Sequence, residues 1–338
     1  MANDLQSTVL RVPALELPVT LESLTDLNKA LADSLRLQIL RLLKNESFGV
    51  LELCRILEIR QPALSHHLKI LAKSNLVSTR REGNSIFYRR AFLTDGDSHR
   101  DIKESTLEQI DSLPIRADSK RKIKQIQIER SELSLSFFNK NADKFKEKQG
   151  LIVEHEDYAS CLHDVINGLG HSSKAVVLEV GPGEGQLLME LAKKYKNIIA
   201  LDNSSEMLEK SRQTIERKNL KGVRFILGDT HTALKKETVA DIIIFNMVLH
   251  HISSPAKTFK DSAALLAPGG HLLIIDLSRH DQDWARNSCG DLWLGFDEND
   301  LDRWAEDAGL VSGQSSYLSL RNGFQIQICI FKKITHGV

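Results

Sequence analysis

The sequence predicts an α/β chain in two parts: a small, mostly helical module, then a larger domain on a mostly parallel sheet. Three observations predict this. From residue 176 onward, apolar runs that end in an acid or an amide alternate with helical patterns. The first of those runs leads into the glycine-rich turn Gly181-Pro182-Gly183-Glu184-Gly185. Before residue 94 the pattern is different, with short amphipathic helices followed by a basic hairpin. The 338 residues hold one small domain, one large domain and a connector.

In the larger part, Val176-Val177-Leu178-Glu179-Val180 reads as a buried strand. The glycines after it let backbone approach a ligand without a Cβ in the way. Leu187-Leu188 and Leu191-Ala192 keep helical spacing, and Ile198-Ile199-Ala200-Leu201 is a second strand ending in Asp202. Strand, glycine turn, helix, strand and acid form a crossover unit suited to a nucleotide-like cofactor, with the acid accepting from ribose hydroxyls. Asp202-Asn203-Ser204-Ser205 could equally cap the helix that carries Met207. Val223–Leu227 is a third strand followed by Asp229 and Thr230. Ala240–Phe245 is a fourth, doubly buried strand with Asn246 at its tip. Leu265-Leu266-Ala267-Pro268-Gly269-Gly270 leads into a fifth strand through Asp276, and Phe324–Phe331 alternates as a final hairpin strand.

The cofactor class follows from the turn. Its glycines are spaced G-x-G-x-G, and position 186 is Gln, where a dinucleotide fingerprint needs a third glycine. No Gly-Lys-Ser/Thr follows, which excludes a P-loop. Glu179 would repel a pyrophosphate and suits a cation. A ribose, an adenine and a positive amino-acid end together describe S-adenosyl-L-methionine (SAM). Residues of about 150–335 resemble the class I SAM-dependent methyltransferases, whose first motif is E/D-x-G-x-G-x-G. The resemblance implies a Rossmann-like, seven-stranded, mostly parallel sheet. It implies cofactor contacts from Glu179, Gly181, Gly183, Gly185, Asp202, Asn203, Met207, Asp229, Thr230 and Asn246, with Asp229 accepting from the adenine amino group. It also places the methyl acceptor near Phe137, Phe138, His155, Tyr158, His250, His251, Trp284, Trp293 and Phe296. His250 and His251 follow a strand tip and are the candidate catalytic residues, as a general base; packing is the blander and favoured reading for both.

In the smaller part, Leu35–Leu43 is an amphipathic helix, and Val50, Leu53, Cys54 and Leu57 lie on one face of a second. Pro62 suits the first turn of a third helix carrying Leu64, Leu68 and Leu71. Leu76–Thr79 and Ile86–Arg89 then flank a loop containing Gly83. Helix, turn, helix and hairpin make a winged helix-turn-helix. Residues 35–93 hold 11 Lys/Arg against four Glu, a net of +7, while the whole chain balances 45 against 45. A basic module in a neutral chain is an electrostatic footprint for a phosphate backbone. The outward face of the third helix offers Gln61, Ser65, His66 and Lys69, and Arg80 and Arg81 sit at the wing tip.

Arg60–Leu71 resembles the recognition helix of ArsR/SmtB repressors, and Leu76–Tyr88 resembles their wing. The resemblance implies a homodimer on a double-stranded, pseudo-palindromic operator. It does not extend to metal sensing, so no metal ligands are expected. Metal-sensing members carry Cys-x-Cys in the second motif helix, and here Cys54 is followed by Arg55 and Ile56. Asp97-Ser98-His99 starts a second family site, but position 110 is Ile. Cys54 reads as a small core residue and His67 as a packed structural one.

The remaining cysteines, Cys161, Cys289 and Cys329, form no C-x-x-C pair. No apolar run reaches membrane-spanning length and residues 1–20 hold no apolar leader, so a cytoplasmic protein without membrane contact is expected. The expected domains are the winged helix-turn-helix over 20–93, a helical connector over 94–150 where Ile123, Ile126 and Leu133 could pair two subunits, and the methyltransferase over 151–335. Three function classes fit: a DNA-binding regulator with an active small-molecule methyltransferase, a non-catalytic repressor that senses SAM or S-adenosylhomocysteine, and an enzyme that keeps the helix-turn-helix only for dimerisation.

Overall fold

The computed structural model describes residues 19–141 and 149–335. Contacts group them into two compact units. The first holds residues up to Thr79 together with Tyr88–Arg116, and the second holds Arg80–Phe87 together with residues from Ala117 onward.

In the first unit, α1 (Leu21–Leu31) opens on a reciprocal Thr20/Ser23 cap. Next come α2 (Ser34–Leu42), β1 (Phe48–Gly49), α3 (Val50–Leu57) and α4 (Gln61–Lys73). Leu64, Leu68 and Leu71 of α4 are buried and recur at i, i+4, i+7. The hairpin strands are β2 (Val77–Glu82) and β3 (Ser85–Arg90), and the three short strands pair in the order β1-β3-β2. α5 (Arg100–Ser112) is tied in through Asp111, which accepts two bonds from the Arg90 guanidinium at 2.9 and 2.6 Å. Burial works against the Asp111 charge, but Arg90 and Lys44 hold its pKa below the usual range.

The second unit begins in sequence with the hairpin tip. It continues with the 25-residue α6 (Ala117–Asn141) and α7 (Glu156–Gly168). Strands and helices then alternate: β4 (Val176–Val180), α8 (Gln186–Lys194), β5 (Asn197–Asp202), α9 (Ser205–Arg217), β6 (Val223–Leu227), α10 (Thr230–Lys235) and β7 (Ala240–Asn246). A 3₁₀ turn, Leu249–His251, precedes α11 (Pro255–Leu265) and β8 (Leu266–Leu277). Then come α12 (Trp284–Cys289), α13 (Glu298–Asp307) and the closing strands β9 (Leu310–Ser319) and β10 (Gln325–Lys333). The sheet order is β6-β5-β4-β7-β8-β10-β9, with β10 antiparallel to both neighbours. The order reverses direction at β4, between β5 and β7. That switch point opens a crevice at the carboxyl ends of the strands, where ligands bind in open α/β sheets.

Two expectations change. The connector expected over 94–150 is divided: α5 groups with the first unit and α6 with the second. Ile126 is buried inside the chain, so it cannot face a second subunit, whereas Leu133 is exposed.

The wing tip also differs. Arg80 was expected at a DNA groove, but it is 3% exposed. Its guanidinium pairs with Glu82, lies 3.8 Å from Asp300 and donates to the Gly295 carbonyl. It also stacks on Trp293 and Phe296 at 6.0 and 5.5 Å. Glu82 accepts from the Leu294 N–H at 2.7 Å, and Phe87 meets Trp293 edge-on at 5.5 Å. Arg80 is therefore a core ion-pair residue. Arg81 remains exposed.

Candidate cofactor and acceptor site

The glycine turn after β4 is built from backbone that other residues resist. Gly181, Gly183 and Gly185 have φ of +66°, +58° and +85°. A Cβ on Gly181 would run into Val248 Cγ2, and one on Gly185 would press on Ser211 of α9. Gly181→Ala should therefore cost about 2 kcal/mol or more, from left-handed strain and overpacking together. A thermal melt with and without cofactor checks this. Met247, just past β7, is the site's one non-glycine left-handed residue among the described residues, at φ +53°.

Above the strand tips lies a cavity of about 590 Å³. Gly181, Gly183, Asp202, Asn203, Met207, Asp229, Thr230 and Asn246 all line it. Burial pushes the Asp202 carboxyl up to about 6 against the pull of the Ser204 and Asn203 N–H groups. Its Oδ1 accepts from the Ser204 N–H at 2.8 Å. Asp229 caps α10, accepting from the Thr232 N–H and hydroxyl, both at 2.8 Å. Burial opposes its charge, but those two donors and Lys257 hold its pKa below the usual range. Asn246 Oδ1 accepts from the Tyr158 hydroxyl at 3.0 Å, which fixes the amide at the cavity wall.

Two expected cofactor residues do not line the cavity. Gly185 caps α8. Glu179 points inward from β4 with 1% exposure, and burial raises its pKa to about 8, with Glu190 adding to the shift. Thr230 lines the cavity, but its hydroxyl donates to Asp261 Oδ2 at 2.9 Å.

The acceptor side is only partly as expected. Phe138, His155, Tyr158 and His251 line the cavity. Trp293 and Phe296 are buried core residues, Trp284 is exposed at the surface, and Phe137 faces a separate, much smaller cavity with His250. His250 is fully buried, with Nδ1 2.7 Å from Asp276 Oδ1. Burial favours its neutral ring, but Asp276 and Asp291 outweigh that and lift its pKa to about 9. His250 lines the smaller cavity and not the one at the strand tips, so it does not reach a reacting group there. His251 meets Phe138 edge-on at 4.7 Å, and burial and the neighbouring His250 hold it neutral.

One wall was not legible in the sequence. Lys124, Gln127, Ile128 and Ser131 of α6 face the cavity at i, i+3, i+4, i+7. The stripe is mixed in polarity, so hydrophobic periodicity misses it. Lys124 falls in a basic run that reads as a solvated helix face.

In the first unit, Gln61, Ser65, His66 and Lys69 are exposed along α4. His67 is partly buried, with Nδ1 3.7 Å from Asp33 and 3.4 Å from Arg36, as a packed residue should be. Cys54 is partly buried, and burial pushes its thiol pKa up.

A glycine turn at the switch strand, acids at the tips of the next two strands and a seven-stranded sheet with one reversed strand define a class I, Rossmann-like methyltransferase fold. Residues 171–309 match the family described as "Methyltransferase domain", and residues 33–79 match "Bacterial regulatory protein, arsR family". The chain thus joins an ArsR-family helix-turn-helix to a methyltransferase domain. Among curated relatives, the tRNA 5-carboxymethoxyuridine methyltransferase of Escherichia coli is 30% identical over 109 residues, 32% of this chain and 42% of that protein. The ubiquinone biosynthesis O-methyltransferase of Coxiella burnetii is 26% identical over 167 residues, 44% of this chain and 70% of that protein. The first relatives are matched over only 33–42% of their length. Among solved structures, the magnesium protoporphyrin IX methyltransferase of Synechocystis with bound SAH has a TM-score of 0.51 at 16% identity, covering 60% of this chain and 99% of that one. It shares the fold.

Proposed function

We propose that the protein is a DNA-binding regulator whose methyltransferase domain binds SAM and passes its methyl group in line to a small-molecule acceptor. The observation that carries this is the single cavity that collects Gly181, Gly183, Asp202, Asp229 and Asn246 from four strand tips. Its volume of about 590 Å³ falls in the range of roughly 300–1,000 Å³ that holds cofactor-sized ligands. Asp202 is suited to the ribose hydroxyls and Asp229 to the adenine amino group, with Asn203, Met207 and Thr230 around them. The acceptor side is formed by Phe138, His155, Tyr158 and His251. Methyl transfer is helped mostly by holding the acceptor in line with the sulfonium carbon, so no protein base is assigned. A neutral His251 beside Phe138 adds no charge to that wall.

The test is incubation with labelled SAM and fractionated cell extract, following S-adenosylhomocysteine release. Release that depends on Asp202 supports the reading. Tight SAM binding with no release from any fraction would favour a sensor without turnover.

For DNA we infer a homodimer reading a duplex operator through α4, in the cytoplasm. Exposure of Gln61, Ser65, His66 and Lys69 along one helix supports this. No helix among the described residues is long and apolar enough to cross a membrane. Gln61→Ala or Ser65→Ala should lose roughly 1–3 kcal/mol of discrimination between operator and scrambled duplex. Titrations of each variant at two salt concentrations check it. Equal loss on both duplexes would remove α4 as the reader of bases.

A further inference from the structure

A second cluster of ligating side chains lies behind the cavity wall, and methyl transfer does not use it. The turn Leu249–His251 sets two imidazoles side by side, ring centroids 4.0 Å apart. His250 gives its Nδ1 face to Asp276, at 2.7 Å, and its backbone N–H lies 3.3 Å from the other oxygen of the same carboxylate. Its Nε2 therefore faces the opposite way, toward Asp291 Oδ1 at 3.8 Å. His251 Nδ1 lies 4.0 Å from that same oxygen.

Asp291 is the unexplained member. Its side chain is 0% exposed, and neither carboxylate oxygen has a hydrogen-bond partner among the described residues. Buried carboxylates are normally paired with close donors or bound to metal, because desolvating the charge is costly. A proton on His250 Nε2 supplies charge at 3.8 Å but no hydrogen bond, which ends near 3.2 Å.

We propose that His250, His251 and Asp291 form a buried divalent-cation site of the zinc class, with Asp276 as the residue that positions His250. The three donor atoms all lie within 4.8 Å of one another. Ligands about 2.0–2.2 Å from one tetrahedral ion stand roughly 3.3–3.6 Å apart, so small rotamer adjustments close the set. Two imidazoles and one carboxylate suit zinc, whereas magnesium and calcium prefer six or more oxygens. The carboxylate behind His250 is the usual outer partner of a metal-bound imidazole. Two protons compete with the ion: the one on His250 Nε2, which Asp276 and Asp291 favour, and the one that His251 Nδ1 would donate to the Gly290 carbonyl at 3.2 Å; both would have to leave for the two rings to ligate. This site is distinct from the cysteine-based arrangement of ArsR-type sensors, since Cys54 belongs to the other unit. Its effect would be local: the ion would clamp the segment from Asp291 onward to the turn whose His251 borders the cofactor cavity.

The test uses the full chain, stripped with a chelator and titrated with Zn²⁺ alone against a chromogenic competitor, with metal content measured after dialysis. We expect one zinc per chain. His251→Ala and Asp291→Asn should abolish it. Asp276→Asn should weaken it roughly 10–100-fold, as loss of an outer-shell partner does. Cys54→Ser should leave it unchanged. Circular dichroism checks that each variant folds. Cobalt substitution of the wild type needs no variant, and strong visible bands of a four-coordinate nitrogen–oxygen site are expected. No stoichiometric zinc in the wild type, zinc retained by Asp291→Asn, zinc lost in Cys54→Ser, or only the weak spectrum of hydrated cobalt would each overturn the proposal.

Discussion

Asp202→Ala is expected to weaken binding of SAM and its demethylated product by roughly 100-fold, about 3 kcal/mol. Asp202 ends β5, lines the cavity and is oriented from below by the Ser204 N–H. A carboxylate so placed can accept from both hydroxyls of a ribose, and charged acceptors make the stronger hydrogen bonds. The pH dependence follows from burial, which raises its carboxyl to about 6. Above that value the group is ionised and accepts two bonds; below it, a proton takes one of those places. SAM affinity should fall as pH drops through about 6, and Asp202→Asn should remove that step. Stability runs the other way. The folded chain holds this proton more tightly than the unfolded chain, so ionisation costs stability above pH 6, and the cost disappears below the unfolded value near 4. In the absence of cofactor, Asp202→Asn should therefore melt higher than wild type at pH 8, with the gap closing toward pH 4. Calorimetry of both variants from pH 5 to 8 decides it. Unchanged SAM affinity in Asp202→Ala would end the ribose assignment.

Arg80→Ala should unfold the second unit more easily, by about 3–5 kcal/mol, because it removes the buried guanidinium that pairs with Glu82 in a dry environment. That corresponds to a fall on the order of 10 °C in Tm for a domain of this size. The variant also loses stacking on Trp293 and Phe296. Adding Glu82→Gln should return part of the loss, since burial already opposes that charge and raises its pKa. Arg81→Ala is the contrast: exposed, it should leave Tm alone and reduce the salt slope of DNA binding by about one. If Arg80→Ala melted like wild type and Arg81→Ala did not, the burial described for the tip would be wrong.

Where periodicity and glycine chemistry speak, the sequence was enough. The strands β4, β5 and β7 are apolar runs of five to seven residues bounded by turn signals, and their tips carry the residues that line the cavity. Gly181 and Gly183 could be singled out because left-handed backbone at a strand end leaves few other choices. Residues whose role depends on which way a side chain turns were misread. Glu179 alternates inward along β4, and Arg80 looks like any wing arginine until Trp293, more than 200 positions later, is packed beneath it. Asp276 and Asp291 sit on a strand and a loop with no local spacing that links them to His250. Only the fold brings them within reach.

The grouping of residues 80–87 with the second unit bears on how such a chain can be taken apart or rebuilt. A fragment ending after Arg116 would carry Arg80, Glu82 and Phe87 without the residues that cover them, and a fragment starting at Ala117 would lack the Arg80 and Phe87 side chains that pack on Trp293. Neither half is a clean cassette. Anyone grafting a different DNA-reading module onto this methyltransferase would need to keep residues 80–87 with it.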